Sequence, residues 1–338
     1  MTTTTPYHAL VKAASSLVDL DTINAWSDRK DVSYEELEAF FQKNRLALDD
    51  VRQALSQQCE VPLEYTNSYF AKHLDELQAV RPLARIFSLG IVIASEHEDL
   101  ALAVRIAVDS LELANASRRG GIVLDFLLGN AIAGTAISDV VDLREKLKEP
   151  ERKYVITELA RIESQQEPLC DIVERDKKWE AESGNNDVET DDLAWDCTDA
   201  EYFDWLENNP LQVEVELSEE DKQEMLAAFR SIDHSQKRVP RDLNDDIDKR
   251  GVAMLRMLAI DLGIRSFHET HGCYPASLEL LKEDFPSASV LDPFTNAPFI
   301  YQVESVGEFS LCSAGVGEVQ SFSLESSDQL YKAEPEQF

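Results

Sequence analysis

Leu291-Asp-Pro-Phe-Thr-Asn-Ala-Pro-Phe-Ile-Tyr301 decides how the C-terminal part of this chain folds. Proline fixes its own φ and cannot donate, so Pro293 and Pro298 bracket a rigid turn. Phe299, Tyr301 and Val303 then alternate with other side chains, the period of a strand. Val306-Gly307 turns the chain. Phe309, Leu311 and Ser313 give a returning strand, and Phe322 and Leu324 mark a third.

Upstream, Asp246–His271 reads as one long helix, with Val252, Leu255, Leu258, Leu262 and Phe267 on a broad apolar face. Gly272 stops it. Gly272-Cys-Tyr-Pro-Ala-Ser-Leu-Glu-Leu-Leu is then a turn followed by a short helical piece.

This ordered set resembles the C-terminal half of the major pseudopilin of type II secretion. It consists of a helix ending in Gly-x-Tyr-Pro, a Leu-x-x-Leu piece, Asp-Pro-Phe-x-x-x-Pro-Phe-x-Tyr, and Phe-x-Leu-x-Ser-x-Gly. The fold-determining matches are Gly272, Tyr274, Pro275, Asp292, Pro293, Phe294, Pro298, Tyr301, Ser313 and Gly315, joined by Leu278, Leu281, Phe299, Phe309 and Leu311. The resemblance implies a long helix against a small antiparallel sheet and covers a fifth to a quarter of the chain. It further implies a membrane-spanning first helix and a calcium loop rich in aspartate, and the sequence departs from both. The module helix carries Lys249, Arg250, Arg256, Asp261 and Arg265, charges that a bilayer interior rejects. After Ser313-Ala-Gly the loop has Gly317 where an aspartate is expected, and Glu318 is its single carboxylate. Calcium wants several oxygen ligands, so no calcium is expected.

Residues 1–165 read as a helical domain. Ser33-Tyr-Glu-Glu is a capping-box start for a helix carrying Leu37, Phe40 and Phe41, and a second helix is expected over Leu48–Gln57. Pro62 breaks Cys59–Tyr65 into a loop. Three strong helical segments follow: Leu74–Ser95, with a kink or break at Pro82, then Glu98–Ala116, then Ile122–Lys148. Short connections suit an antiparallel helical bundle or a tetratricopeptide-like stack, although no period of about 34 residues repeats three times. The Cys59–Val141 segment resembles a helical domain of uncharacterised bacterial proteins, a family with no established activity to transfer. The apolar window Ile122–Val141 contains Asp125 and Asp139. An aspartate at a bilayer centre costs about 2.5–3.5 kcal/mol, so the window is read as a buried helix and no membrane insertion is expected.

Residues 166–245 read as an acidic, aromatic-containing connector, partly disordered or helical. Asp171–Glu224 holds 20 acidic and 4 basic residues, together with Trp179, Trp195 and Trp205. Trp195, Tyr202, Phe203 and Trp205 lie on an amphipathic segment with Thr198 as N-cap and Glu201 three residues on. They either anchor a protein partner or pack on the protein's own domains. Ser218-Glu-Glu-Asp with Met225, Leu226 and Phe229 marks a further helix, and Lys237–Asp245 the boundary before an α+β module at 246–338. The expected fold is therefore mainly α with a small α+β C-terminal module.

The chain has 338 residues, with 32 Lys and Arg against 65 Asp and Glu, a net charge of −33. Nucleic-acid binding needs a basic footprint, so no nucleic acid is expected. Five cysteines lack Cys-x-x-Cys spacing, which fits reduced thiols, or one or two bridges in an oxidising compartment. With no secretory signal pattern at the N-terminus, the expected location is cytoplasmic, with envelope association as a variant. His268-Glu-Thr-His271-Gly-Cys273 does not have the His-Glu-x-x-His spacing of a zinc helix. No phosphate loop or nucleophile elbow occurs. No catalytic residue, metal or cofactor is assigned. The expected function is a non-enzymatic interaction or scaffold protein. The alternatives are an accessory component of a type II secretion or pilus-like system, and an enzyme using a pocket in the helical domain.

Overall fold

A computed structural model describes residues 5–27, 32–183, 242–281, 290–305, 308–315 and 322–324. Nine helices precede residue 184 among them: α1 Pro6–Ser15, α2 Leu20–Ser27, α3 Tyr34–Leu55, α4 Asn67–Val80, α5 Pro82–Glu96, α6 Leu100–Arg118, α7 Val123–Leu143, α8 Glu149–Ser164 and α9 Leu169–Glu182. The long helix α10, Asp242–His271, follows, then a 3₁₀ turn at Leu278–Leu281 and the strands β1 Ile300–Ser305, β2 Glu308–Ser313 and β3 Phe322–Ser323. The protein is mainly α with a small three-stranded antiparallel sheet, in the order β1-β2-β3, near its C-terminus.

Local chemistry accounts for most of the helix boundaries. Ser33 caps α3 with its hydroxyl on the Glu36 N–H, and the Glu36 carboxylate returns to the Ser33 N–H at 2.9 Å. The helix then runs unbroken through Leu48, so the two helices expected here are one. Asn44, mid-helix and buried, donates to the Phe40 and Val18 carbonyls and accepts the Val18 N–H at 2.9 Å. That polar residue fastens the chain after α1 to α3 and does not end the helix. Pro82 opens α5, with the interruption at Arg81. Asp99 caps α6 through the Leu102 N–H at 2.9 Å. At Gly129 a Cβ would stand 2.7 Å from the Ala114 carbonyl oxygen, so glycine is what lets α6 and α7 approach closely.

Helices α5, α6 and α7 pack in succession, and α8 packs on α6. The sequence pattern did not single out α1, α2, α8 and α9. The stretches Ser68–Glu96 and Val123–Leu143 are long and apolar enough to cross a membrane by length and composition. Here Leu83, Phe87, Phe126 and Ile137 are core residues, and Asp125 and Asp139 of α7 bond to side chains of α4 and α5.

Helix α10 packs on α7 and α8 on one side and on β2 on the other. Ala253, Met254, Leu255, Met257, Leu258, Ala259, Ile260, Leu262 and Ile264 are all buried, nearly a full circumference. One contiguous core therefore runs from Tyr7 through α10 to Phe322 and Leu324. In the sheet, Tyr301 faces Leu311 and Val303 faces Phe309, with a bulge between Val303 and Ser305. The expected alternation holds for buried Phe299 and fades at Val303, which is 41% exposed.

Candidate functional site

The residues that matched the pseudopilin pattern converge in space. Gly272 has φ +72°, and its N–H reaches the His268 carbonyl at 2.8 Å, a left-handed helix end. Tyr274 lies between His268, tilted at 4.4 Å, and Phe309, edge-to-face at 5.0 Å between ring centroids. The Tyr301 hydroxyl donates to the Pro275 carbonyl at 2.9 Å and ties β1 to the turn after α10. Burial, and then the nearby Tyr274, push that phenol up to about 12, so it stays a donor at neutral pH.

Asp292 organises the turn before β1. Its Oδ1 accepts the Phe294 N–H at 3.0 Å, and its Oδ2 accepts the Ser313 hydroxyl at 3.0 Å and the Ala314 N–H at 2.8 Å. Its main chain closes the turn through Ala297 and Asn296, the latter at φ +55°. Ser313 accepts in turn from the Gly315 N–H at 3.1 Å. Pro293 sets the turn's first dihedral, Pro298 bridges to Leu291, and Phe294 meets the edge of Phe322. The carboxylate is thus committed to three donors of its own chain. Val316–Val319, including Gly317 and Glu318, lie outside the described residues, as do Val306-Gly307.

The proposed anchors Trp195, Tyr202, Phe203 and Trp205 also lie outside the described residues, together with Thr198, Glu201 and the segment from Ser218 to Phe229. Trp179, from the same acidic region, is buried. Its Nε1 donates to the Glu64 carbonyl at 3.0 Å, and its ring lies 5.6 Å from that of Phe70. Helix α9 is thereby held on the helical body. His268 lies against Tyr274 while His271 stacks on Phe267, so the two histidines occupy separate contacts. Among the described residues no group of three or more His, Cys, Asp or Glu could hold a metal.

A buried polar cluster escaped the sequence reading. His73 on α4 places Nε2 2.8 Å from the Asp125 carboxylate on α7 and Nδ1 3.5 Å from Glu76. Tyr69 stacks on the imidazole at 4.9 Å, and Asp125 also accepts the Ile122 N–H at 2.8 Å. Burial alone would lower the His73 pKa, but the hydrogen bonds and charges of Asp125 and Glu76 carry it above its ordinary value. The hydroxyls of Tyr7 and Tyr69 are buried beside these groups and have no hydrogen-bond partner among the described residues, and burial followed by the two carboxylates raises both phenols. Residues 73 and 125 are far apart in sequence, and no local motif pairs them. The cluster joins α1, α4 and α7, and neither of the two clefts described below is lined by its members.

One cleft of about 410 Å³ lies between α10 and β2. Arg265 occupies its wall, bonded to Asp261 at 2.7 Å and to Glu145 at 2.5 Å, with its guanidinium over the Phe309 ring. Other charges of α10 are used in the same way. Arg118, buried on α6, donates to Asp248 at 3.0 Å, Arg152 on α8 donates to Glu269 at 2.5 Å, and Arg250 covers the Phe322 ring. Of the charges that argued against a membrane span, Arg250 and Arg265 thus fasten α10 to the sheet and the helical body, while Lys249 pairs with Asp245 on α10 itself.

No protein-family model matches the chain, and neither any curated protein nor any solved structure does.

Proposed function

We propose that this is a non-enzymatic interaction or scaffold protein, in which the helical body displays the small sheet to a protein partner. The supporting observation is the outer edge of that sheet, where no further strand pairs with β1 among the described residues. Among the described residues strand β1 pairs with β2 alone, and Ile300 and Val303 are 54% and 41% exposed beside Leu291 at 38%. An exposed strand edge with apolar side chains is a ready template for strand addition. Cytoplasmic residence belongs to the same reading, and fractionation of native cells checks it.

The test is co-purification from native cells with the full chain and with Ile300→Glu and Val303→Lys, which leave the core in place. Deleting 246–338 would remove α10 from the shared core and would not be interpretable. A partner retained by the wild type and lost by both variants fits the reading. Identical recovery by all three sinks it.

The second reading, an accessory component of a type II secretion or pilus-like system, draws on the assembly of Gly272, Tyr274, Pro275, Asp292, Tyr301 and Ser313 into one unit. Recovery of pseudopilins in the same experiment supports it, and their consistent absence removes it.

A further inference from the structure

A second cleft, of about 640 Å³, opens on the helical body away from the sheet. Its walls are the loop from Ser56 to Cys59, the end of α6 with Glu112, Ala116 and Arg119, and the end of α8 with Arg161 and Gln165. That volume falls within the usual range for small-ligand pockets, about 300–1,000 Å³.

The two guanidinium groups at this cleft are engaged differently. Arg161 is held by side chains of the wall: Nε donates to Glu158 at 2.7 Å, Nη1 to the Gln165 side chain at 3.0 Å, and Nη2 to Glu112. Glu112 and Glu158 thus share the one guanidinium of Arg161. Arg119 donates only to main-chain carbonyls, those of Cys59 at 3.4 Å and Gln165 at 3.2 Å. Among the described residues no carboxylate forms an ion pair with it, in a chain with twice as many acids as bases. A guanidinium carries five N–H donors in a planar fork suited to a carboxylate, and most of these remain. Leu55 and Ala116 add apolar wall, and Gln58 lines the cleft beside them. The one thiol present, Cys59, is buried and pushed up to about 12 by that burial, so it is not a nucleophile at neutral pH. The arrangement suits binding without chemistry.

We propose that this cleft binds the carboxylate of a small aliphatic acid, with Arg119 as the residue that holds the anion. The short body of the acid lies on Leu55 and Ala116. Two sources share this chemistry: a free organic acid and the C-terminal end of a peptide.

The experiment titrates the full-length protein with isovalerate, N-acetyl-L-leucine and N-acetyl-L-leucinamide by calorimetry, and follows the backbone amides of Gln58, Cys59 and Gln165 by NMR. Both acids should saturate below about 10 mM and shift those amides, and the neutral amide should not. Tighter binding of N-acetyl-L-leucine would indicate a peptide end, and equal binding a free acid. Arg119→Gln should weaken binding at least about tenfold, and Arg119→Lys, which keeps a charge without the fork, by less. Added salt should weaken it too. Failure of both acids to saturate, equal binding of the neutral amide, or shifts confined to other amides overturns the proposal. The wild-type shifts decide the matter even if the Arg119 variants do not fold.

Discussion

Arg256, in the middle of α10, donates from Nε and Nη2 to one oxygen of Glu163 on α8, at 2.8 and 2.7 Å, across 93 residues of sequence. Its Nη1 donates to the Leu291 carbonyl at 2.7 Å, at the start of the Asp292 turn. One side chain thus joins the helical body, the long helix and the sheet module. Charge-assisted bonds of this kind, partly shielded from water, contribute about 1.5–3 kcal/mol each. The Arg256→Ala and Glu163→Ala variants should therefore each lose on the order of 2 kcal/mol in urea denaturation. Their double mutant should lose clearly less than the sum of the two. Strict additivity would show that the pair is not coupled.

The shared core predicts shared unfolding. Leu258 is fully buried in that core, so Leu258→Ala should cost about 2–5 kcal/mol. Far-UV circular dichroism and aromatic fluorescence should report a single coincident transition in wild type and variant alike. A separate early transition for the sheet would contradict a common core.

Asp292→Ala would leave the Ser313 hydroxyl and two main-chain N–H groups without their acceptor. Each buried orphan costs about 1–3 kcal/mol. Hydrogen exchange should accelerate first in β2 and in the 292–298 turn, while α5 and α6 stay protected. Unchanged protection in β2 would mean that the carboxylate does not organise the module.

Asp139 on α7 accepts the Ser88 hydroxyl at 2.6 Å. Burial pushes its carboxyl up to about 7, with the Ser88 bond opposing and the neighbouring Asp142 adding to the rise. A carboxyl raised by folding binds its proton more tightly in the folded state, so its stabilising contribution is complete below the unfolded value. That contribution is lost as pH climbs through about 7. Asp139→Asn should flatten the fall in stability between about pH 4 and pH 7 and melt above the wild type at pH 8. Parallel pH profiles would refute this.

His73 has the same sign for a different reason. Its folded pKa is raised, so the stability it contributes is present below its unfolded value, about 6.5, and declines as pH rises past that point. It faces Asp125 and Glu76, with the phenols of Tyr69 and Tyr7 beside them. His73→Gln should lower stability most at acidic pH and lose the decline above about pH 6.5. NMR titration of the imidazole gives an independent reading, and a value below the ordinary one would overturn the assignment.

Where a residue's role depends on its near neighbours in sequence, the pattern could be read directly. The capping box at Ser33, the break at Pro82, the stop at Gly272 and the Asp292 turn are of this kind. Each rests on hydrogen bonds or dihedrals within a few residues. The strands at Tyr301 and Leu311 followed from alternation. The His73–Asp125 contact and the Arg119 cleft could not be read this way, because each joins residues from separate helices with no spacing rule between them.

The sequence by itself determined the class of structure: helices first, a long helix after the acidic stretch, and a small antiparallel sheet beyond Gly272. Periodicity and turn chemistry are local, and they set which elements form. Only the tertiary structure decided that α10 belongs to both halves. One apolar face was visible in Leu255, Leu258 and Leu262, yet Met254, Met257, Ile260 and Ile264 are buried as well. A helix buried on two sides carries no single stripe, and its partners, α7, α8 and β2, lie far away along the chain. The ion pairs of Asp248, Arg256, Arg265 and Glu269 then fix its register on the body. Such pairing is a property of three-dimensional proximity, which a linear pattern of charges does not encode.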